Sequence, residues 1–213
     1  MYVPSHFAED DWVVLLDTIE AYPFGLLVLS CPHGLEAAHL PFVVKRSGED
    51  KGLLRCHVAR ANPIWKGVHN DSTALAVFSG PHSYISPDWY DSKHQVPTWN
   101  YVAVHVTGIP RLMEDWEVID VLDDLSEISE SRLAKSPWTA GRLPQQVYKG
   151  LRKGIVGIEI GIESMQGKWK LSQNKTPADR RRAALALDAL RDENSHGIAD
   201  LMRVIDQNVT DAK

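Results

Sequence analysis

One strand-like segment of the chain ends in a group of cationic and amide side chains. Arg55, His57, Arg60 and Asn62 all fall within the run LRCHVARANP at residues 54–63. A phosphate ester is bound well by forked guanidinium donors and amide donors at the end of a rigid element. The segment therefore fits a phosphate site, although a solvated loop with a surface ion pair explains the same residues.

Two further segments combine aromatic rings with hydrogen-bonding side chains. The first is the run GPHSYISPDWY at residues 80–90, and the second is VPTWNY at residues 96–101. Exposed aromatic rings often pack on a ligand or a partner, and rings beside hydroxyl and amide groups suit a flat ring system. The alternatives are a structured loop over a barrel mouth and a core tryptophan beside a polar turn.

The run GKWKLSQN, further along the chain, surrounds an indole with charge. Lys168 and Lys170 supply positive charge on either side of the π face of Trp169. Gln173 and Asn174 add amide groups, and no apolar periodicity explains this mixture. The run favours an anionic aromatic ligand, with a basic surface turn as the alternative.

The sequence carries no motif for a metal or for a covalent nucleophile. Cys31 and Cys56 form no CxxC pair, and the histidines include no HExxH motif, so we expect no metal site. No Ser-His-Asp pattern has a recognisable nucleophile turn, and no catalytic residue is assigned. Because Rossmann and P-loop glycine motifs are also absent, a bound nucleotide must be held by side chains and loop amides.

Composition and charge restrict the class of protein. The 213 residues are 44% hydrophobic with a net charge of −5, which is typical of a globular domain and argues against a whole-chain nucleic-acid binder. The best local DNA-binding candidate is the arginine run at residues 180–182, which also fits a solvated helix face. The first residues lack the features of a signal peptide and no apolar run is long enough to span a membrane, so we expect a cytoplasmic protein without membrane contact.

Apolar patterning predicts the elements that must position these segments. Helices are predicted at residues 8–21, 114–129 and 146–153, and two more follow residue 174, the first capped by Thr176 and the last by Ser195. Turns are predicted at residues 32–34 and 47–52, a loop at 80–98 and a connection at 130–145. Strands are predicted at residues 24–29, 36–44, 53–59, 74–79, 100–108, 110–113 (as an extension or a partner of the strand before it) and 155–162.

About seven strands with inserted and appended helices predict a mainly β fold, an antiparallel barrel with flanking helices. The strands do not alternate strictly with helices, which argues against a doubly wound sheet. The change of character after residue 174 divides the chain into a barrel domain at residues 1–175 and a C-terminal helical appendage at residues 176–213.

Taken together, these segments resemble the PaiB-like family of FMN-binding proteins, which are described as negative transcriptional regulators. The similarity is carried, in this order, by GLEAAHLPF, HVARANP, GPHSYISP, VPTWNY and GKWKLSQN. This chain has Cys56 where the family pattern has a glycine before His57. The resemblance implies a split β-barrel like those of pyridoxamine-phosphate oxidases and flavin reductases, paired as a homodimer with FMN in a groove at the subunit interface.

The resemblance also implies positions for the cofactor. It places the FMN phosphate near Arg60 and Asn62 and the flavin ring near His39, while Trp169, Lys170 and Gln173 reach the same groove, from the same or the partner subunit. The predicted cofactor-binding residues are His39, His57, Val58, Arg60, Asn62, Ser79, His82, Tyr84, Thr98, Trp99, Asn100, Lys168, Trp169, Lys170 and Gln173.

Two functions follow from the resemblance, and the residues leave both open. The first is a transcriptional regulator that binds FMN at a dimer interface. The second is an FMN-dependent oxidoreductase, similar to a flavin reductase or a pyridoxamine-phosphate oxidase, that acts on a small molecule. A flavin-binding protein without turnover is the third alternative, so enzymatic activity itself stays undecided at this point.

Overall fold

The computed structural model describes residues 1–31, 34–46, 51–69 and 71–211, with side chains as far as residue 207. The predicted turns at residues 32–34 and 47–52 therefore fall largely outside the described residues. Within the described part, no helix is both long enough and apolar enough to cross a membrane.

In the part of the chain that the structure describes, eight strands form one sheet in the order β3-β2-β6-β7-β8-β5-β4, with β1 paired to β8. The pairings of β2 with β3 and β6, and of β5 with β4 and β8, are antiparallel. The strands are β1 (Ala8–Glu9), β2 (Phe24–Cys31), β3 (Gly34–Pro41), β4 (Val43–Lys45), β5 (Leu53–Ala59), β6 (Ala74–Ile85), β7 (Thr98–Leu112) and β8 (Ile155–Lys170).

Within the described ranges, five α-helices accompany the sheet, as the apolar stripes predict. They are α1 (Trp12–Ala21), α2 (Asp115–Glu130), α3 (Gln145–Arg152), α4 (Pro177–Asp188) and α5 (Glu193–Asp211). The predicted cap of α4 is confirmed, because the hydroxyl of Thr176 accepts a hydrogen bond from the amide of Asp179. The predicted cap of α5 is wrong: Asp192 accepts the amide of Ser195, whose own hydroxyl is buried against Ser83.

β2, β6, β7 and β8 are all longer than predicted, and the extensions of β6 and β8 contain buried residues that are not apolar. The predicted loop at residues 80–98 begins with the end of β6, where Ser83 is buried between the exposed His82 and Tyr84. Hydrogen bonding to Ser195 satisfies the hydroxyl of Ser83, so the period of two continues without apolar side chains. β8 likewise extends to Lys170 and includes the first half of GKWKLSQN.

The chain separates into two compact units that are interleaved along the sequence. Unit 1 comprises Met1–Thr18, Ser79–Val104 and Gln166–Lys213, and unit 2 comprises Ile19–Phe78 and His105–Met165. Unit 1 has a core of apolar side chains from α4 and α5 with Ile85, Tyr90 and Leu171. In unit 2, Phe42 and Phe78 meet edge to face with ring centroids 5.1 Å apart. The domain boundary after residue 175 stays a prediction.

Candidate functional site

A basic cavity of about 240 Å³ lies in unit 2. Its lining residues come from the end of β5, the first turn of α2, and α3 with the turn that follows it. Four carry positive charge and one carries negative charge: Arg60, Lys149, Arg152, Lys153 and Asp115. We call this the basic cavity, and its excess of cations suits an anion such as a phosphate.

Arg60 is held at the basic cavity by the chain that enters β8. β5 ends at Ala59, and the amide of Arg60 donates to the carbonyl of Gly154 at 2.8 Å. Its guanidinium donates from Nε to the carbonyl of Lys153 at 2.8 Å and from Nη2 to that of Ile155 at 2.9 Å. Within the described residues Nη1 donates no hydrogen bond, so a fixed guanidinium keeps donors for a ligand.

The other cations of the basic cavity come from the end of α3. Lys149 and Arg152 lie in its last turn, where the helix dipole also favours positive charge. The guanidinium of Arg152 lies 5.8 Å from the ring centroid of Tyr148. The prediction missed these residues, because nothing in the sequence connects them to Arg60. The cationic run KGLRK at residues 149–153 is the signal that the sequence does offer.

Three predicted residues beside Arg60 have limited freedom to bind a ligand. The side-chain oxygen of Asn62 accepts the amide of Ile64 and caps a short 3-10 helix at Pro63–Gly67, which leaves only its NH₂ group available. Val58 is buried, so only its backbone can contact a ligand. Nδ1 of His57 is buried without a partner among the described residues, and burial lowers the pKa of this histidine.

His39 lies apart from the basic cavity's lining, on the exposed side of β3. Its ring stacks on that of Phe24 with centroids 6.2 Å apart and planes inclined by 22°. Phe24 is itself 64% exposed. The pair therefore offers a flat, accessible aromatic surface within unit 2.

Unit 1 contains an open aromatic groove of about 430 Å³. Three predicted residues line it, His82 and Tyr84 from β6 and Trp99 from β7. The ring centroid of Trp99 lies 6.3 Å from that of His82 and 6.1 Å from that of Tyr84. Because Trp99 is 54% exposed, this aromatic groove has an accessible ring wall. Ser79, also predicted, is exposed on β6 but does not line the groove.

Two predicted lysines in unit 1 donate their hydrogen bonds to neutral acceptors. Lys168 is buried between the rings of Tyr2 and Tyr101 and donates to the carbonyl of Tyr2 at 3.1 Å. Lys170 donates to the hydroxyl of Thr98. Burial, followed by repulsion from Lys168 and Lys175, lowers the pKa of Lys170. These lysines therefore have no carboxylate partner among the described residues.

Three other predicted residues of unit 1 serve the fold in this structure. Gln173 closes a turn by donating to the carbonyl of Trp169 at 2.6 Å and accepting the amide of Leu171 at 2.7 Å. Asn100 is fully buried and donates to the hydroxyl of Ser172 at 3.0 Å. Trp169 is partly buried against the core of unit 1. Their side chains are thus largely occupied by internal contacts.

The arginines that offered the best DNA-binding candidate are paired with acids. Arg180 is buried and donates to Asp206 from Nε at 2.9 Å and from Nη2 at 2.5 Å. Arg182 forms an ion pair of 2.7 Å with Asp91, and Arg181 lies 3.9 Å from Asp206. Burial of Arg180 differs from the expected solvated face, whereas the side chains of Arg181 and Arg182 are 62% and 52% exposed, as that expectation requires.

Comparison with known proteins gives both a family and a fold. Residues 1–164 match the family model described as "Putative FMN-binding domain". The chain is 32% identical over 202 residues to "Protease synthase and sporulation protein PAI 2" of Bacillus subtilis, covering 95% of this chain and 96% of that protein. It is 29% identical over 242 residues to an uncharacterized protein of Emericella nidulans, with 95% and 96% covered.

Two solved structures share the fold at low sequence identity. The flavocytochrome Anf3 from Azotobacter vinelandii superposes with a TM-score of 0.57 at 13% identity, covering 92% of this chain and 78% of that one. The FAD and heme binding protein from Mycobacterium smegmatis gives 0.54 at 13% identity, covering 76% and 73%. The predicted fold class, a mainly β split barrel with flanking helices, is confirmed.

Proposed function

Because the chain belongs to the FMN-binding domain family, we propose that its basic cavity holds the phosphate of the cofactor. The predicted cofactor is confirmed as FMN. When bound, FMN supplies one- and two-electron redox chemistry through its ring system. The protein's part is to bind and orient it.

The donor set of the basic cavity carries this proposal. Four cations face a single carboxylate, that of Asp115, and the guanidinium of Arg60 is fixed by two backbone carbonyls. A phosphate dianion accepts several charge-assisted hydrogen bonds at once and offsets the repulsion among the cations. The residues present therefore fit the phosphate end of FMN.

Comparing FMN with riboflavin, which lacks the phosphate, tests the proposal. We expect Lys149→Ala and Arg152→Ala each to weaken FMN binding about tenfold, since each removes a charged donor worth roughly 1.5 kcal/mol, while riboflavin binding stays constant. Lys66→Ala is the matched control, because Lys66 is exposed and does not line the cavity. Equal losses for FMN and riboflavin, or none for either, would reject the basic cavity as the phosphate site.

For the biological role, we propose an FMN-binding transcriptional regulator acting as a cytoplasmic homodimer. The family resemblance supports both the regulatory role and the homodimer. Light scattering of the purified protein should give twice the chain mass. Band-shift experiments with the protein's own promoter DNA should show FMN-sensitive binding, and a failure to bind would remove the regulatory role.

An FMN-dependent oxidoreductase is the second candidate, favoured by the aromatic groove. Its exposed ring wall of His82, Tyr84 and Trp99 can accept a flat small molecule. Stopped-flow mixing of the FMN-loaded protein with NADH or NADPH should then bleach the flavin absorbance. A flavin that stays oxidised with both donors argues for the regulator.

A further inference from the structure

A second cavity in unit 2 has a composition opposite to that of the basic cavity. It lies among α2, residues 137–141 and α3, and its volume is about 470 Å³, within the roughly 300–1,000 Å³ typical of small-molecule sites. Ile119, Trp138 and Tyr148 give it an apolar and aromatic lining, and Asp123 and Glu127 add negative charge. No basic side chain of the described residues lines this acidic aromatic cavity.

The hydroxyl of Tyr148 is the polar group that the fold leaves unused in this cavity. It is covered from solvent and has no hydrogen-bond partner among the described residues, an unfavourable state for a hydroxyl that a ligand can relieve. Burial, followed by the negative charge of Asp123, raises the pKa of Tyr148. The phenol is thus neutral and close to a carboxylate that it does not contact by a hydrogen bond.

Two carboxylates reach the same cavity from one helix face. Asp123 and Glu127 are four residues apart on α2 and therefore lie one above the other. Neither has an ion-pair partner in the part of the chain that the structure describes. Both carboxylates are exposed, so a cation that also brings apolar area can reach them from solvent along the ring surface of the cavity.

We propose that the acidic aromatic cavity binds an organic ammonium ion that carries an aromatic ring. The ring packs between Ile119 and Trp138, and the ammonium donates to the carboxylates of Asp123 and Glu127. A third N–H of the ammonium donates to the hydroxyl oxygen of Tyr148. Neither FMN nor a side chain of the basic cavity contacts the amine in this arrangement, although Arg152, which lines the basic cavity, lies 5.8 Å from the ring centroid of Tyr148.

A titration with 2-phenylethylammonium tests the site on the full chain. The indole N–H signal of Trp138, assigned by its loss in Trp138→Phe, should shift and saturate in a ¹H–¹⁵N correlation spectrum. The anion 3-phenylpropanoate has the same ring and spacer with the opposite charge, and it should cause no saturable shift. Absence of saturation with the amine, or equal binding of the anion, would overturn the proposal.

Matched variants locate the binding. Asp123→Asn should weaken amine binding about tenfold or more, since a charge-assisted hydrogen bond is lost, and Tyr148→Phe should weaken it severalfold while keeping the ring. Asp120→Asn is the control, because Asp120 is exposed on the same helix outside the cavity. An equal loss in the control would overturn the proposal. Arg60→Ala should bind the amine normally, which separates this site from the FMN site.

Discussion

Unit 2 contains two groups of cations that differ in how their charge is balanced. Arg55 and Arg111 belong to an ion-pair network with two buried carboxylates: Arg55 lies 2.7 Å from Glu159, and Arg111 lies 2.5 Å from Glu117. The basic cavity instead gathers four cations around one carboxylate. Residue type alone does not distinguish the two groups of cations. The number of carboxylates next to each group does.

The first turn of α2 supplies one carboxylate to each of these two groups of cations. Glu117 accepts the amide of Glu114 at 2.8 Å, which completes a capping box, and also pairs with Arg111. Asp115, two residues earlier, lines the basic cavity. Balanced cations belong to the internal ion pairs of unit 2, and we propose that the unbalanced ones mark the place where an anionic ligand binds.

Removing a carboxylate from the network should have the largest effect on stability. Glu117→Ala should lower the free energy of unfolding by about 2–4 kcal/mol, because it removes the charge-assisted hydrogen bonds from Arg111 and the capping box of α2. Lys149→Ala, in the basic cavity, should change it by no more than about 0.5 kcal/mol. Urea denaturation measures both, and comparable changes in the two variants would remove the distinction between the groups.

Arg60→Ala should show the opposite pattern, because it should weaken FMN binding more than it lowers the free energy of unfolding. We expect FMN affinity to drop by roughly 1.5–3 kcal/mol through loss of a charge-assisted phosphate contact, with riboflavin affected little. Fluorescence titration measures both flavins, and a thermal melt checks that the variant folds without the bonds from Arg60 to Lys153 and Ile155. Wild-type affinity for FMN would show that Arg60 does not contact the phosphate.

Acid should weaken the ion-pair network, because Glu117 must be ionised to accept its hydrogen bonds. Hydrogen bonds from Arg111, with help from the amide of Glu114 and nearby positive charge, lower the pKa of Glu117 to about 2. Since the folded-state pKa lies below the ordinary value, this stabilisation is present above about pH 4.5 and is lost as the pH falls towards 2. Urea denaturation across this range should show the loss in the wild type and a weaker dependence in Glu117→Gln. Parallel curves would contradict the assignment.

Trp99→Ala should give the smallest loss of flavin affinity, and it should not distinguish FMN from riboflavin. If Trp99 contacts the flavin ring, as the sequence predicts, FMN and riboflavin should lose affinity alike, by about 0.5–1.5 kcal/mol for one aromatic contact. Tyr22→Phe serves as a control at an exposed ring outside the aromatic groove. A loss confined to FMN would assign Trp99 to the phosphate end instead.

Local patterning was enough to predict much of the fold. β5 occupies residues 53–59 as predicted, because its side chains alternate between buried and half-buried positions. β6 was cut short in the prediction because Gly80, Pro81 and Ser83 fill its buried positions in place of apolar residues. A sequence shows apolar periods directly, but it does not show that a distant serine satisfies a buried hydroxyl.

The site was harder to predict, because residue type does not reveal a side chain's partners. Gln173 and Asn100 have the right chemistry for a flavin ligand, yet the structure uses both in internal hydrogen bonds. Lys149 and Arg152 were placed in a predicted short helix but not connected to Arg60. About 90 residues of chain separate them from it, and only tertiary structure brings these cations to one cavity.

A crystal structure of the FMN complex tests the central claim most directly. We expect the phosphate oxygens within hydrogen-bonding distance of the Arg60 guanidinium and of at least one of Lys149, Arg152 and Lys153. A phosphate bound elsewhere, with the basic cavity free of flavin, would contradict the claim that unbalanced cations in unit 2 mark the cofactor site.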